Sequence, residues 1–533
     1  MKVWMHCVVR LVFFLALVPC FLAAGNASAS THYIANGGND SATGLSTSAP
    51  WAHLPGMRTW TGSYTPVAGD RFILRGCDVW PNASFPINWN WAGTALSPIY
   101  IGVDQTWYNT STCPSGWNRP VFDAGGTPIP SNNEFVYLFA DWSTWDWIEA
   151  RGLNWISNSG VSCLDNTRKN SGIVVDHWYV HAWSHGGTAT EDEFLCFVGQ
   201  WPPPAVGSLV QHTVFDGSDS TNGGDTGNFS YHWNSGKWNV IHEAQNVYHV
   251  DYASNASSTE IAYNTMYHIG WKAKIGTEHE NEISIGGCST DGDCTFYIHD
   301  NLEYDNPAGE GMYSGATAGE IDYIWNNTIM STWNGTFVML AQGNTVGSRA
   351  AYVWNNTIVP PNTLHPMAGR GNVACFTYGP TITSPVGTYF RRNNHCISDV
   401  GIGTIPAGFA STVIDDHNVL IGSAAAAAQG YDQVGSFFYS PQSSNCNGIP
   451  TNCPIGVGAN GTEDQYRPPG FPTTDTTYAC YQGTANGVVQ VICPTRTANS
   501  RPATGAWDVG AYQFTLTSGT VPGAPTGLAA TVR

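Results

Sequence analysis

Charged residues are scarce in this chain of 533 residues. Asp, Glu, Lys and Arg together make up only 11% of it, and 39 acidic residues face 20 basic ones. The net charge of −19 excludes a protein that binds nucleic acid through a basic surface, because phosphate recognition requires Lys and Arg. A strongly anionic polysaccharide would need local basic residues or bound cations, whereas a neutral glycan is accommodated more easily.

Helical periodicity is nearly absent after the first 30 residues, and the alanine run at 424–428 is too short to indicate an α-solenoid. Cys-x-x-Cys motifs are also missing, which argues against a zinc ribbon or a redox motif. Two of the 14 cysteines lie near the N-terminus and the others fall in near pairs, as expected for disulfides in an exported chain. The predicted pairs are Cys77–Cys113, Cys163–Cys196, Cys288–Cys294, Cys375–Cys396, Cys446–Cys453 and Cys480–Cys493.

In place of helices the chain has a repeated phrase, Tyr-Ile-Trp-Asn-Asn-Thr-Ile at 323–329 and Tyr-Val-Trp-Asn-Asn-Thr-Ile at 352–358. Weaker copies surround these two at intervals of 24 to 38 residues, which is typical of a solenoid. The anchoring asparagines are Asn264, Asn301, Asn327, Asn356, Asn394 and Asn418.

Each copy consists of an alternating apolar run, an Asn and a second apolar run. Alternation with period two indicates strands, and Asn suits a tight bend because it tolerates left-handed backbone geometry. Stacked asparagines can also hydrogen-bond along a ladder. We therefore predict an all-β, right-handed parallel β-helix over roughly residues 50–515, with the anchoring asparagines stacked at one bend.

The Asn-Asn-Thr-Ile repeats resemble those of the right-handed parallel β-helix superfamily. The segments 32–51, 69–76 and 507–513 are similar to the first coils and the closing strand of its secreted members. The resemblance covers roughly residues 31–515 and implies the fold. It does not choose a chemistry, because the superfamily includes polysaccharide lyases, glycoside hydrolases, epimerases, phage tailspikes and adhesins.

Residues 1–29 are predicted to be a secretory signal, with a basic start, an apolar stretch and a small-residue cleavage site at 27–29. A retained membrane anchor is the alternative, but the apolar stretch is short for a span. We expect residues 30–515 to form the β-helix domain. Residues 516–533 are interpreted as a linker and the truncated start of a fibronectin type III-like segment. The mature protein is predicted to be secreted, monomeric and not inserted in a membrane.

The densest cluster of ionisable residues lies at 268–285, where two of the rare lysines, Lys272 and Lys274, fall close together. His242 and Glu243 lie upstream, and groups from neighbouring coils can converge because stacked strands are about 4.8 Å apart. If Ile283 and Ile285 point into the coil, strand alternation turns Glu282 and Ser284 outward. We predict an active site here, on a groove formed by residues 240–315.

Two chemistries fit such a cluster. A lyase needs a base and a cation that neutralises the uronate carboxylate, and many β-helix lyases use Lys or Arg with calcium for these roles. The predicted catalytic residues are Lys272, Lys274, His242, Glu243 and Glu282. The predicted substrate-binding residues are Trp271, Tyr313 and His279, and the predicted Ca²⁺ ligands are Glu278 and Glu280. The paired lysines favour a lyase that acts on a polysaccharide.

A glycoside hydrolase would need two carboxylates instead. The candidates are Glu243, Asp251, Glu282, Asp291, Asp293 and the pair Asp415-Asp416. The Asn-Thr-Asp, Gly-His-Gly and Arg-Ile-Lys signatures of β-helix pectin hydrolases are missing, so their catalytic residues cannot be assigned here. A carbohydrate-binding or adhesive protein without catalysis is the next alternative, since exposed Trp and Tyr can stack on sugars. A structural or appendage protein is the last.

A second set of residues, Asp176, His177, His181 and His185, resembles a group of metal ligands. Their alternation equally suits ordinary strand and bend positions, so the sequence does not favour metal binding there.

Overall fold

The computed structural model describes residues 28–514 with internal gaps. The segments left out are 131–133, 156–161, 186–193, 200–205, 221–226, 254–257, 271–281, 289–293, 307–310, 316–319, 331–336, 340–349, 365–370, 380–384, 432–442, 444, 462–472, 477–479 and 494–496. The predicted signal segment before residue 28 and the segment after residue 514 also lie outside the described residues.

Three parallel sheets contain most of the strands. Sheet A comprises β1 (Thr31–Ile34), β2 (Arg71–Gly76), β5 (Ile99–Tyr108), β8 (Ser143–Asp146), β12 (Val174–Asp176), β16 (Leu209–Gln211), β19 (Ser235–Lys237), β22 (Ser258–Ala262), β25 (Cys294–His299), β28 (Glu320–Trp325), β31 (Ala350–Trp354), β34 (Val386–Arg392) and β36 (Ala410–Asp416). Sheet B comprises β4 (Ile87–Trp89), β7 (Glu134–Leu138), β11 (Ser162–Asp165), β15 (Phe194–Val198), β18 (Gly227–Tyr231), β21 (Asn246–Ala253), β24 (Ile283–Cys288), β27 (Met312–Gly315), β30 (Phe337–Met339) and β33 (Phe376–Tyr378).

Sheet C comprises β3 (Val79–Pro81), β6 (Val121–Asp123), β9 (Glu149–Arg151), β13 (Tyr179–His181), β17 (Val214–Asp216), β20 (Val240–His242), β23 (Thr265–Tyr267), β26 (Leu302–Tyr304), β29 (Thr328–Met330), β32 (Thr357–Val359), β35 (His395–Ile397) and β37 (Val419–Ile421). Outside these sheets, β10 (Asn154–Trp155) pairs with β14 (Ser184–His185), and β38 (Tyr481–Ala485) forms an antiparallel hairpin with β39 (Val488–Ile492). Among the fully described elements, the helical ones are the 3₁₀ turns Asn82–Ser84 and Cys446–Gly448 and one short helix, α1 (Ser423–Gln429). Among the described residues no helix has the length and hydrophobicity needed to cross a membrane.

Each coil passes from sheet A to sheet C to sheet B, and the next coil then begins again in sheet A. The repeated phrase shows this arrangement directly, because Tyr323 in β28 pairs with Tyr352 in β31, and Trp325 pairs with Trp354. The predicted right-handed parallel β-helix is confirmed for the strands from β1 to β37.

The predicted asparagine ladder is also confirmed, at the corner between sheets A and C. The side-chain amide of Asn327 donates to the Oδ1 atom of Asn356 and to the carbonyl oxygen of Ile298, both at 3.0 Å. Equivalent amide contacts link the other five predicted members along successive coils. The ladder begins one coil earlier than predicted, at Asn239, which donates to Asn264 at 3.1 Å.

One part of the bend prediction was wrong, because the ladder asparagines do not take the left-handed conformation. The residue before each of them does, with φ of 52° at Asn326 and 55° at Asn355. The left-handed residue makes the turn, and the following Asn can then point inward and bond to the next coil. The pattern explains why the strongest repeats carry two asparagines in succession: both positions favour Asn, for different reasons.

The core is a continuous column of apolar side chains inside the coils, including Ile298, Ile324 and Val353. The first coils are lined with large aromatic residues, and several tryptophans are fully buried there: Trp80, Trp89, Trp145, Trp178, Trp183 and Trp233. Packing in the core therefore accounts for these tryptophans, which are not available for sugar binding.

The described residues between 445 and 514 run back along the outside of the coils, and we call them the C-terminal strap. Ala459 donates its backbone N–H to Asn393 at 2.8 Å, and Arg501 donates to Asn326 at 3.1 Å. The hairpin of β38 and β39 reaches much earlier coils, where the carbonyl oxygen of Val489 accepts a hydrogen bond from Arg119. The strap thus connects the last coils to the first ones.

Five of the six predicted disulfides are confirmed: Cys77–Cys113, Cys163–Cys196, Cys375–Cys396, Cys446–Cys453 and Cys480–Cys493. Cys294 is also disulfide-bonded, and the side chain of its predicted partner lies outside the described residues.

Candidate active site

Sheet C carries a row of ionisable side chains on its outer face. In its strands from β6 to β35 the middle residue is buried inside the coil, as Phe215 and Ile241 are, so the third residue faces outward. The strand register aligns these third residues across successive coils. From the N-terminal end they are Asp123, Arg151, His181, Asp216, His242, Tyr267 and Tyr304.

His242 is the centre of a buried hydrogen-bond network. Its Nδ1 atom contacts Glu243, and its Nε2 atom contacts the amide oxygen of Gln482 and lies 3.5 Å from Asp216. Gln482 belongs to the strap hairpin and also donates to Asp216 at 2.9 Å. Burial alone would lower the pKa of His242, but the hydrogen bond to Glu243 and the charge of Asp216 raise it above its usual value. Both ring nitrogens thus face oxygen atoms, those of Glu243 and Gln482.

His268 extends this network toward solvent. Its Nδ1 atom lies 2.9 Å from Glu243 and its Nε2 atom 3.3 Å from Asp305. The side chains of His268 and Asp305 are 26% and 37% exposed, whereas those of His242 and Asp216 are each 6% exposed. A ligand can therefore reach His268 and Asp305, while the buried pair behind them holds Glu243 in place.

The same imidazole–carboxylate contacts set the protonation of the site. Burial lowers the pKa of His268, but hydrogen bonds to Asp305 and Glu243 outweigh it and raise the value to about 9. Burial raises the pKa of Glu243, but hydrogen bonds to His242 and His268 outweigh it and lower the value to about 2. At neutral pH the site presents a protonated His268 beside an ionised Glu243.

Glu243, His268 and Asp305 occupy the same corner of three consecutive coils, immediately after β20, β23 and β26. All three are left-handed, with φ of 48°, 54° and 54°. A glutamate rarely adopts this conformation, and non-glycine residues held in it cluster at functional sites. The corner therefore concentrates three ionisable side chains at positions where a glycine or asparagine would be less strained.

Sequence reasoning found two members of this cluster, His242 and Glu243, and missed Asp216, His268, Asp305 and Gln482. A usable signal existed for two of the missed residues, because Glu243, His268 and Asp305 each follow a ladder asparagine by four positions. The sequence prediction did not include Asn239 in the ladder, so the equivalence of these three corner positions was missed. No local pattern indicates Gln482, which comes from 240 residues away in the chain.

The other predicted site residues do not join this cluster among the described residues. Glu282 lies immediately before β24, and its side chain is fully buried. Its catalytic role stays a prediction. Tyr313 lies in β27 beside Ser284, with its side chain outside the described part of the chain. The remaining six also lie outside the described residues, so their roles stay predictions: Trp271, Lys272, Lys274, Glu278, His279 and Glu280.

A calcium ion does not fit the cluster as the described residues form it. Ca²⁺ takes six to eight oxygen ligands. Within the described ranges, both groups of three close potential metal ligands contain histidine, and the carboxylates of Glu243 and Asp305 are engaged with His268. Calcium bound by Glu278 and Glu280 remains a prediction about residues outside the described part.

Two further sequence candidates have structural explanations. Asp415 and Asp416 form ion pairs with Arg391 and Arg392, each with a contact of 2.6 Å. Asp251, Asp291 and Asp293 have side chains outside the described residues. None of these residues places a described carboxylate beside His242 as the catalytic partner of a hydrolase.

Comparisons with known proteins give weak structural similarity only. No protein-family model and no curated protein matches the sequence. The fold is similar to that of a GH136 lacto-N-biosidase from Eubacterium ramulus (11% identity, 73% of this chain and 68% of that one, TM-score 0.44). It is also similar to a rhamnogalacturonan lyase (15% identity, 68% of this chain and 87% of that one, TM-score 0.42). A third similar structure is pectate lyase Pel9A (13% identity, 83% of this chain and 95% of that one, TM-score 0.41). Similarity at this level carries no inference about the chemistry of this chain.

Proposed function

We propose that this protein is a secreted enzyme that cleaves an extended extracellular polysaccharide at the corner formed by Glu243, His268 and Asp305. The observation that carries the proposal is the convergence of these three side chains on consecutive coils, with His268 accessible and Glu243 held from behind. A linear polymer lying along the coil axis can contact several coils at once, because they are spaced about 4.8 Å apart. The five disulfides between described cysteines support secretion, since disulfides persist in oxidising compartments.

The proposed reaction is β-elimination at a uronate residue. A base removes the proton from the carbon next to the uronate carboxylate, the electron pair forms the new double bond, and the glycosidic oxygen leaves with a proton from an acid. His268 can supply the positive charge and the acid of this reaction. With a pKa of about 9 it is protonated at neutral pH, so it can neutralise the uronate carboxylate or protonate the leaving oxygen. Lys272 and Lys274 follow His268 closely in sequence and are the proposed bases.

Hydrolysis is the second candidate, and one observation favours it. Glu243 and Asp305 lie on opposite nitrogen atoms of the same imidazole, so that two carboxylates flank one proton donor. Glycoside hydrolases need two carboxyl groups on either side of the scissile bond. The excess of carboxylates over cations at this corner also suits a neutral glycan better than an anionic one.

The experiment is an assay of the mature protein on a panel of acidic and neutral polysaccharides. A lyase produces unsaturated products that absorb in the ultraviolet, and a hydrolase produces reducing ends without that absorbance. For either reaction we expect His268→Asn to lower turnover by about 10²-fold. Exchange of both Lys272 and Lys274 for Ala should abolish elimination but leave hydrolysis largely intact. His417→Asn is the matched control, because His417 is an exposed histidine paired with an aspartate at the far end of the coils.

Two outcomes would contradict the proposal. If the folded wild type releases neither product from any polysaccharide but is retained on one of them, the protein is a binding protein. If it cleaves a polysaccharide and His268→Asn cleaves it at the wild-type rate, the reaction takes place elsewhere on the molecule.

A further inference from the structure

A second group of histidines and aspartates lies at the corner between sheets A and C, away from the proposed active site. His177 and His212 occupy the same corner position on successive coils, immediately after β12 and β16, and both are left-handed. Each directs its Nδ1 atom to the Oδ1 atom of Asp176, at 2.9 Å in both cases. Three potential ligand atoms of Asp176, His177 and His212 thus lie within 4.8 Å of one another.

A fourth potential ligand atom, a carboxylate oxygen, approaches from the preceding coil. The Oδ1 atom of Asp146 lies 3.1 Å from the same Nδ1 atom of His177. Two imidazole nitrogens and one or two carboxylate oxygens are therefore close neighbours at this corner. Zn²⁺ and similar divalent ions bind such mixed nitrogen and oxygen sets, and donors that share one ion at 2.0–2.2 Å lie roughly 3 Å apart.

The other carboxylate oxygens of this group are held by neighbouring side chains. Gln211 donates to the Oδ2 atom of Asp176 at 2.7 Å, and the Tyr100 hydroxyl donates to the Oδ2 atom of Asp146 at 2.9 Å. Hydrogen bonds to the outer atoms of ligands are a regular feature of metal sites, because they orient the ligands and reduce the entropy lost on binding.

The imidazole rings are also held in place. Trp147 stacks on His177 with ring centroids 4.4 Å apart, and Trp238 stacks on His212 at 5.3 Å. The two imidazoles stack on each other at 4.8 Å, so four parallel rings run along this corner. The histidine side chains remain 31% and 32% exposed, which leaves a path for an ion from solvent.

We propose that Asp176, His177 and His212, with Asp146 beside them, form a binding site for a divalent transition-metal ion such as Zn²⁺ or Cu²⁺. The ion joins two consecutive coils at the corner between sheets A and C. The site includes two of the four residues in the metal set that the sequence suggested. It excludes His181, which pairs with Glu149 and Asp219, and it gains His212 from the next coil. The side chain of His185 lies outside the described residues.

The proposal is tested by metal titration of the untagged, chelator-treated mature protein, which is independent of polysaccharide cleavage. Isothermal titration with Zn²⁺ should show one tight site in the wild type. Its affinity should fall at least about tenfold in His212→Asn and in His177→Asn. Electron paramagnetic resonance of the Cu²⁺ form should show two nitrogen ligands in the wild type and one in His212→Asn. Far-ultraviolet circular dichroism checks that the variants are folded.

Two control variants make the result specific. His417→Asn removes a histidine from an exposed pair with a single aspartate and should bind Zn²⁺ like the wild type. His242→Asn disrupts the only other described group of three close potential ligands, Asp216, His242 and Glu243. If Zn²⁺ binding survives in both His177→Asn and His212→Asn but is lost in His242→Asn, the metal lies at that group and the proposal is wrong. Absence of Zn²⁺ and Cu²⁺ binding to the folded wild type would also overturn it.

Discussion

The side chain of Asn327 bonds on both sides of its coil. Its amide group donates to the Ile298 carbonyl oxygen and to Asn356, and its Oδ1 atom accepts from the backbone N–H and the side-chain amide of Asn301. The side chain is fully buried, so water cannot replace these partners. A single residue therefore bonds to backbone groups of the preceding coil and to the ladder asparagines of both adjacent coils.

Replacing Asn327 with Ala should lower the free energy of unfolding by about 3 kcal/mol or more, because several buried donors and acceptors lose their partners. Thermal or denaturant unfolding measures this. Asn418→Ala should cost less, since Asn418 ends the described ladder and is partly exposed. Asn90→Ala, at an exposed asparagine, should change stability by less than about 0.5 kcal/mol. Equal effects at all three positions would contradict the role assigned to the ladder.

Glu303 places a carboxyl group inside the coil. It takes the middle position of β26, between Met266 and Ile329 in the register, where other strands of sheet C place apolar core residues. It is fully buried, and neither carboxyl oxygen has a hydrogen-bond partner among the described residues. Burial raises its pKa well above the usual value, so the folded protein holds a proton there that the unfolded chain releases.

This protonation makes a prediction about pH. Below the unfolded-state pKa of Glu303 the carboxyl group is protonated in both states, so its titration does not affect stability. Between the unfolded-state pKa and the raised folded-state pKa, the free energy of unfolding falls by up to roughly 1.4 kcal/mol per pH unit. Glu303→Gln should therefore match the wild type near the acidic limit and be more stable than it at neutral and alkaline pH. Unfolding midpoints measured across this range provide the test.

Asp416 is a suitable control for Glu303, because its pKa is shifted in the opposite direction. The hydrogen bond from Arg392 lowers the pKa of Asp416, so its contribution is present at neutral pH and lost as the pH falls through the folded-state value. Asp416→Asn should thus be less stable than the wild type at neutral pH, and this difference should disappear in acid. A Glu303→Gln variant whose difference from the wild type does not vary with pH would refute the assignment.

At the scale of the element, the start of the ladder depends on one strand of sheet A. The Tyr248 hydroxyl donates to Asn264 and accepts from Asn239, and its ring is buried against β19. Gly236, in the middle of β19, leaves the room for this ring: a Cβ atom there would lie 2.3 Å from the hydroxyl oxygen. A small residue in one strand therefore permits a large residue of another to reach the ladder.

Gly236→Ala should destabilise the protein by about 1–3 kcal/mol, the usual cost of overpacking a core, because the buried Tyr248 ring has little space to move. Gly371→Ala is the matched control, since a Cβ atom at Gly371 would meet no atom within 4 Å. Thermal unfolding of the two variants decides the question. Similar melting temperatures for both would show that the ring of Tyr248 shifts without cost.

At the scale of the molecule, the strap and helix α1 cover an apolar part of the outer face of sheet C. Beyond the ionisable row, the outward residues become apolar, with Met330, Val359 and Ile397 buried in one cluster with Tyr431 and Cys446. A second cluster stacks Trp507 of the strap on Trp354, with ring centroids 6.2 Å apart. The strap therefore buries surface that would otherwise be an exposed hydrophobic patch.

A chain that ends at residue 443 should expose this surface. We expect a lower melting temperature, increased binding of a hydrophobic dye and self-association in analytical ultracentrifugation, because large exposed apolar patches promote association. A chain that ends at residue 514 keeps the strap and should behave like the wild type. A monomeric, dye-free shorter chain would show that the strap is dispensable for covering sheet C.

The sequence predicted the features that depend on local repetition. Period-two alternation and recurring asparagines determine strands and a corner, and every coil repeats them, so that the β-helix, the ladder and five local disulfides could be predicted. The burial of Glu282 could not, because strand alternation states on which side of a strand a residue lies and not what packs against that side.

The candidate sites were decided by tertiary structure, for a physical reason. Insertions of variable length separate equivalent corners, so the register that places Glu243 beside His268, or His177 beside His212, comes from the hydrogen bonds between stacked strands. Gln482 reaches His242 because the strap returns along the coils, a contact across 240 residues that no local pattern encodes. The sequence by itself determined the type of coil, and the stacking of coils with the return of the strap determined which ionisable side chains meet.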